Sequence, residues 1–340
     1  MSQPLPAGKL PLDLMQRLLS RYTRRGAGVV VGAGIGEDAA VLELGDRYLI
    51  AKTDPITFVA EDVGRYAIQI NANDIAVMGG RPRWFLATLL LPEGRTTPEG
   101  VEALFREIAE ACDALGIACC GGHTEVTAGL DRPIVVGQML GEVARDRLVT
   151  TAGARVGDAV VLTKGIAIEA TSIIARERAD EVASRFGQGF LERCRRFIDD
   201  PGLSVVRDAA LALEAGGVHA MHDPTEGGLA TGLLEMAMAA GVGLRVDGEA
   251  IVVLEETRRL CDAYGLDPLG AIASGALLLA VAPQRVEAVL EALRQGGIAA
   301  AVIGRVCEPE AGCRIRWADG ERPLPRFPRD EIARLLEETP

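Results

Sequence analysis

Between residues 11 and 25, apolar side chains recur at Leu12, Leu14, Met15, Leu18 and Leu19. That spacing lays one apolar stripe along a helix, and Gly26 ends it. Beyond the glycine-rich stretch 32–36, two short strands are expected at 39–44 and 47–53, turned as a hairpin at Gly45-Asp46. A helix over 65–78, a strand over 84–91, a helix over 98–115 and strands over 117–120 and 134–143 follow. Strands arriving as neighbours, interrupted by helices rather than strictly alternating with them, predict an α+β architecture.

Residues 150–157 are rich in Thr, Ala and Gly, and a new apolar strand over 159–163 follows them. The domain boundary is therefore placed near 150, giving domains 1–150 and 151–340. In the second, helices are expected over 169–179, 188–197, 204–215, 226–240, 254–264 and 283–295. Strands are expected over 218–222, 243–246, 275–281 and 299–306. No short-period repeat is evident.

Length agrees with two domains, since 340 residues exceed what one compact unit commonly needs. With aromatics at only 4%, the core must be built from aliphatic side chains. The net charge of −12, with no basic run longer than Arg193-Cys194-Arg195-Arg196, argues against nucleic acid and anionic membranes as partners. No stretch of eighteen apolar residues occurs, and residues 1–9 lack the basic-then-apolar pattern of a secretory signal, so a cytoplasmic location is expected. Seven cysteines without a C-x-x-C pair fit neither a disulfide framework nor a zinc ribbon, and most are expected to be small core residues.

Five segments could carry chemistry. In Gly32-Ala33-Gly34-Ile35-Gly36-Glu37-Asp38 the glycines would let backbone approach a ligand and the acidic pair could hold a cation, although a plain turn reads the same way. Lys52-Thr53-Asp54-Pro55 ends an apolar strand where ligand groups collect, unless Asp54 merely caps a turn before Pro55. Asn71-Ala72-Asn73-Asp74 lies within an apolar helix, where a buried carboxylate requires a metal or a hydrogen-bond partner; Asn71 and Asp74, three apart, share a face. Gly121-Gly122-His123-Thr124-Glu125 follows the expected strand at Cys119-Cys120 and is either a polar site or a strand-edge turn. His222-Asp223-Pro224-Thr225-Glu226-Gly227-Gly228 enters a helix, with Asp223 or Thr225 available as its cap and an N-terminus suited to anions.

In this order, Gly-x-Gly-Glu-Asp-Ala-Ala, Thr-Asp, Asn-x-Asn-Asp, Gly-Gly-His-Thr-Glu and Asp-Pro-Thr-x-Gly-Gly resemble the aminoimidazole ribonucleotide synthetase superfamily over essentially the whole chain. The last motif points to its hydrogenase maturation protein E branch. The resemblance implies a PurM-like two-domain architecture: an N-terminal α/β sheet domain that binds ATP and forms a homodimer, and a C-terminal α/β domain. It implies ATP and Mg²⁺ as ligands, an unknown acceptor whose oxygen is activated by phosphoryl transfer, and a maturation partner protein as a further candidate. By position it carries the metal to Asp38, Asp54 and Asp74, nucleotide contacts to Gly34, Gly36, Thr53, Asn71 and Asn73, and catalytic roles to Asp74, His123, Glu125 and Asp223. His123 is the residue type of selenophosphate synthetase at a place where many members carry Asp. No cysteine follows Cys313, so the chain as read is not expected to modify a cysteine of its own tail, as that branch does. A small-molecule kinase similar to thiamine monophosphate kinase and a non-catalytic nucleotide-binding partner are the alternatives.

Overall fold

The computed structural model describes residues 5, 8–23 and 26–337. In the first half, α1 (Leu12–Tyr22) precedes β1 (Val29–Val31), β2 (Ala40–Leu44), β3 (Arg47–Ile56), α2 (Val63–Val77), β4 (Arg81–Pro92), α3 (Pro98–Leu115), β5 (Ala118–Thr127) and β6 (Ile134–Ala144). The six strands form one sheet in the order β1-β2-β3-β6-β4-β5, with only β4 and β5 parallel. Helix α2 is apolar almost all round because both its sides are covered. One side lies on β3 and β6; the other meets the second half, where Tyr66 Oη and Ser172 Oγ are 2.7 Å apart.

The second half runs β7 (Ala159–Thr163), α4 (Ile168–Glu177), α5 (Ala179–Phe186), α6 (Gln188–Arg195), α7 (Val206–Ala215), β8 (Val218–His222), α8 (Gly228–Ala240) and β9 (Gly243–Asp247). After these come α9 (Glu255–Tyr264), β10 (Leu278–Val281), α10 (Val286–Gln295), β11 (Ala300–Cys307), β12 (Cys313–Trp317), β13 (Gly320–Pro323) and α11 (Glu331–Glu337). Its sheet has the order β13-β12-β9-β11-β7-β10-β8, and all pairs except β12 with β9 are antiparallel. Two mostly antiparallel sheets with packed helices are the expected α+β class. One hydrophobic cluster joins Ile50, Phe85 and Met139 of the first half to Ile173, Phe197 and Leu335 of the second, and another joins Ala76 and Val77 of α2 to Val161 and Leu279. No helix among the described residues is long and apolar enough to cross a membrane.

Several expected boundaries move. The strand expected to stop at residue 120 continues as β5 to Thr127, so Gly121 and Gly122 lie inside it rather than in a turn. Gly122, at φ 149°, has backbone of Ala87 so close that any Cβ would collide with it. Asp54 lies within β3, an interior strand, and so caps no turn and marks no sheet edge. Helix α8 starts at Gly228 with Gly227 in the left-handed conformation as its cap, which removes both Asp223 and Thr225 from that role. The expected helix over 169–179 ends at Glu177, and α5 follows it directly. The strands β1, β12 and β13 and the helix α11 are not among the expected elements. Arg24, Arg25 and the final residues 338–340 lie outside the described residues. Of the cysteines, Cys112, Cys194 and Cys261 are buried, whereas Cys119 and Cys120 are exposed on β5.

Candidate active site

Three carboxylates from distant parts of the chain converge between the two halves. Asp38 precedes β2, Asp74 sits in α2 and Asp223 follows β8. All three are buried, and one oxygen from each lies within 4.8 Å of the others. Asp38 is firmly held: Oδ1 is 2.8 Å from His222 Nδ1, and Oδ2 accepts a 3.0 Å hydrogen bond from Thr151 Oγ1. Asp74 Oδ1 accepts from Lys52 Nζ at 2.8 Å, while its Oδ2 has no partner. Neither oxygen of Asp223 has a partner, although the residue is only 1% exposed.

The electrostatics follow from this crowding. Burial pushes the Asp74 carboxyl up to about 7; Lys52 opposes the shift, and the charges of Asp54 and Asp38 add to it. Burial likewise raises Asp223 well above the usual carboxylate range, with Asp74 and Asp38 reinforcing the effect. On the far side of Asp38, His222 Nε2 is 3.1 Å from Glu235 Oε2. Burial disfavours a charged ring there, but Asp38 and Glu235 outweigh it and hold His222 well above its usual value. With Glu235 hydrogen-bonded at Nε2 and the charge of Asp38 beside Nδ1, the protonated ring is favoured. Burial also opposes ionisation of Glu235, yet Lys9 and His222 prevail and bring it down to about 2.

Three unused buried carboxylate oxygens in a cluster of like charge would be costly in an empty site. A hard divalent cation that takes oxygen ligands and keeps waters matches this donor set, so the residues present fit Mg²⁺. The three carboxylates that cluster are not the same three that the resemblance assigns to a metal. Asp223 joins Asp38 and Asp74, while Asp54 stands aside, with Oδ2 3.6 Å from Lys52 Nζ.

The remaining site residues divide. Asn71, buried, donates from Nδ2 to the backbone oxygens of Asp54 (3.3 Å) and Ala67 (2.9 Å), and its Oδ1 is free of partners. Asn73 is committed to the seam between the halves, donating to Leu203 O and accepting from Val205 N, both at 2.8 Å. Thr53 is exposed and, one residue from Lys52 and Asp54 along a strand, faces away from them. Gly36, at φ 76°, leaves room for the backbone of α8, since a Cβ would stand 2.7 Å from Glu235 O. Gly34 borders a small cavity against α1.

His123 and Glu125 do not reach the carboxylates within one chain. Both are exposed on β5, the outermost strand, and β6 and β4 lie between β5 and β3. At ~4.8 Å per strand that is roughly 14 Å across the sheet. They contact each other, His123 Nε2 lying 3.1 Å from Glu125 Oε2, and Thr127 Oγ1 donates to Glu125 Oε1 at 2.9 Å.

Sequence reasoning passed over Lys52, Thr151, His222, Glu235 and Glu169 as site residues. The signal that singled out Asp74, a carboxylate in an otherwise apolar helix, is repeated by Glu169 among Ile168, Ala170 and Ile173 and by Glu235 among Leu233, Leu234 and Met236. Applied throughout, it reaches both. Lys52 is the corresponding case in an apolar strand.

The chain matches the model of the AIR synthase related protein N-terminal domain over residues 36–143 and that of the C-terminal domain over residues 155–314. It is 30% identical to a hydrogenase expression/formation protein of Methanocaldococcus jannaschii, the alignment covering 92% of this chain and 96% of the relative. It is also 30% identical to the carbamoyl dehydratase HypE of Rhodobacter capsulatus, over 83% of this chain and 82% of that one. Among solved structures, hydrogenase maturation protein HypE in complex with ATP superposes with a TM-score of 0.72 at 27% identity, covering 96% of this chain and 100% of the other. Fold, motif order and sequence agree, and the chain belongs to the AIR synthase related family.

Proposed function

We propose that this protein is an ATP-dependent enzyme in which Asp38, Asp74 and Asp223 hold Mg²⁺ and an acceptor oxygen receives the γ-phosphoryl group. The observation that carries the reading is the convergence of three buried carboxylates with unpartnered oxygens. The ATP complex of the HypE structure and the dehydratase name of a relative support it. When bound, the metal would neutralise phosphate charge as it develops.

Lys52, flanked by Asp74 and Asp54, places a cation at the mouth of the carboxylate cluster for phosphate oxygens. Asn71 Oδ1, which has no partner, would meet a polar atom of the nucleotide. Asp223 has two unpartnered oxygens, so that with one on the metal the other would take the proton of the acceptor oxygen as that oxygen bonds to phosphorus and ADP leaves. His222 keeps Asp38 aimed at the metal by an ion pair to each neighbour. In this reading residues 1–150 supply most of the nucleotide site and residues 151–340 close it with Asp223. The open edge of β5, exposed from residue 118 to 126, is the surface for a homodimer and would bring His123 and Glu125 into that interface.

Calorimetric titration with Mg-ATP, followed by ADP formation, tests the reading. Asp74→Asn and Asp223→Asn should each abolish metal-dependent binding; wild-type affinity in both would overturn the site.

A further inference from the structure

Next to Asp54, whose charge bears on Asp74, lies a cavity of ≈ 50 Å³ bordered by Lys9, Asp54, Glu169, Thr225, Glu226 and Ser274, with aliphatic walls. Glu169 is 3% exposed and its Oε2 has no hydrogen-bond partner; Ser274, fully buried, has an unpartnered Oγ. The other acids here are provided for. Asp54 is 3.6 Å from Lys52, and Glu226 Oε2 accepts from the backbone N–H of Lys9 at 2.8 Å. Lys9 also lines the cavity, but its Nζ donates to Thr225 Oγ1 at 3.0 Å and lies 3.7 Å from Glu235 Oε1, and Glu169 has no ion pair among the described residues. Burial pushes it up to about 8; Ser274 pulls back, and the charges of Asp330, Glu226 and Asp54 all push the same way as burial. Among the described residues Glu169 is a buried carboxyl group without an ion-pair partner, in a cavity bordered by more acidic than basic side chains. The volume suits a few non-hydrogen atoms.

From this geometry we infer that the cavity binds the ammonium end of the acceptor, with Glu169 Oε2 and Ser274 Oγ accepting its N–H bonds, so that the acceptor is a small amine. The inference rests on the Mg-ATP reading and specifies its second substrate. Asp54 lines the cavity, and Lys52 joins it to Asp74, so a molecule anchored at Glu169 has its other end directed to the carboxylate cluster.

The test is calorimetric titration of the full chain, saturated with Mg-ADP, with ethanolamine as the cationic probe and with ethylene glycol and acetamide as neutral probes of similar size. Ethanolamine should bind and the neutral probes should not. Glu169→Gln should weaken ethanolamine by roughly 10- to 100-fold, and Ser274→Ala by about tenfold or less. Equal binding of a neutral probe, wild-type affinity in both variants, or no binding of ethanolamine overturns the inference. The wild-type probe comparison decides even if Glu169→Gln fails to fold. Mg-nucleotide affinity is read in the same experiment: its absence removes the Mg-ATP reading, whereas nucleotide bound without ethanolamine removes only the amine pocket.

Discussion

Asp223 combines two properties that separate under substitution. Its two oxygens are buried without partners beside two other carboxylates, so in the absence of metal its charge opposes folding. Asp223→Asn should therefore leave the melting temperature in EDTA at or above the wild-type value while abolishing metal-dependent nucleotide binding. A clear loss of metal-free stability would show that the carboxylate already has a structural partner. Glu169 gives a pH signature with a definite sign. Its folded value of about 8 exceeds the ordinary 4.5, so the folded state holds the proton more tightly than the unfolded chain does. The stability this provides is complete below about 4.5 and is lost as pH rises through about 8, at no more than ~1.4 kcal/mol per pH unit. Urea midpoints measured from pH 5 to 9 should fall less steeply in Glu169→Gln; parallel curves would contradict the assignment.

At the level of elements, the loop before β2 and the helix α8 determine each other's position. Gly36 must stay at positive φ and without a side chain, because the α8 carbonyl of Glu235 occupies the space of its Cβ. That close approach also sets Glu235 against His222, and His222 against Asp38. Gly36→Ala should therefore cost about 2–4 kcal/mol in chemical denaturation. It should also raise the Mg²⁺ requirement for nucleotide binding more than it changes nucleotide affinity at saturating metal. A stable variant with unaltered metal dependence would disconnect this contact from the site. Helix α2 works in the opposite direction: its apolar residues fix it between sheet and second half, and Asn71, Asn73 and Asp74 each reach a different neighbour.

Over the whole molecule, the feature without an internal explanation is the open edge of the first sheet. A ten-residue outer strand carrying Val126 at 59% exposure offers unpaired backbone to another chain. If that edge forms the homodimer, sedimentation should give a dimer for the wild type, and Val126→Glu should shift the equilibrium to monomer. A monomeric wild type would leave the edge without this role. Two hydrophobic clusters span the halves, so both are expected to unfold in a single transition rather than as separable domains.

Most elements could be read from the chain because helical and strand periodicities are local: α3, β7 and β8 fall at the expected residues. The motif order was equally legible, since short polar runs in apolar elements stand out one by one, and it led to the family that the comparisons show. The elements β1, β12, β13 and α11 went unread, and the break between α4 and α5 lay in a continuous helical pattern. The site was half legible. Asp38, Asp74 and Asp223 were each visible, but which carboxylates meet depends on how α2 packs against β3 and β8, and that packing admits Asp223 and leaves Asp54 with Lys52. The sequence by itself determined which residues are costly to bury. Only the tertiary structure decided their partners, because a partner some 150 residues away is chosen by the packing of aliphatic faces that resemble one another along the whole chain.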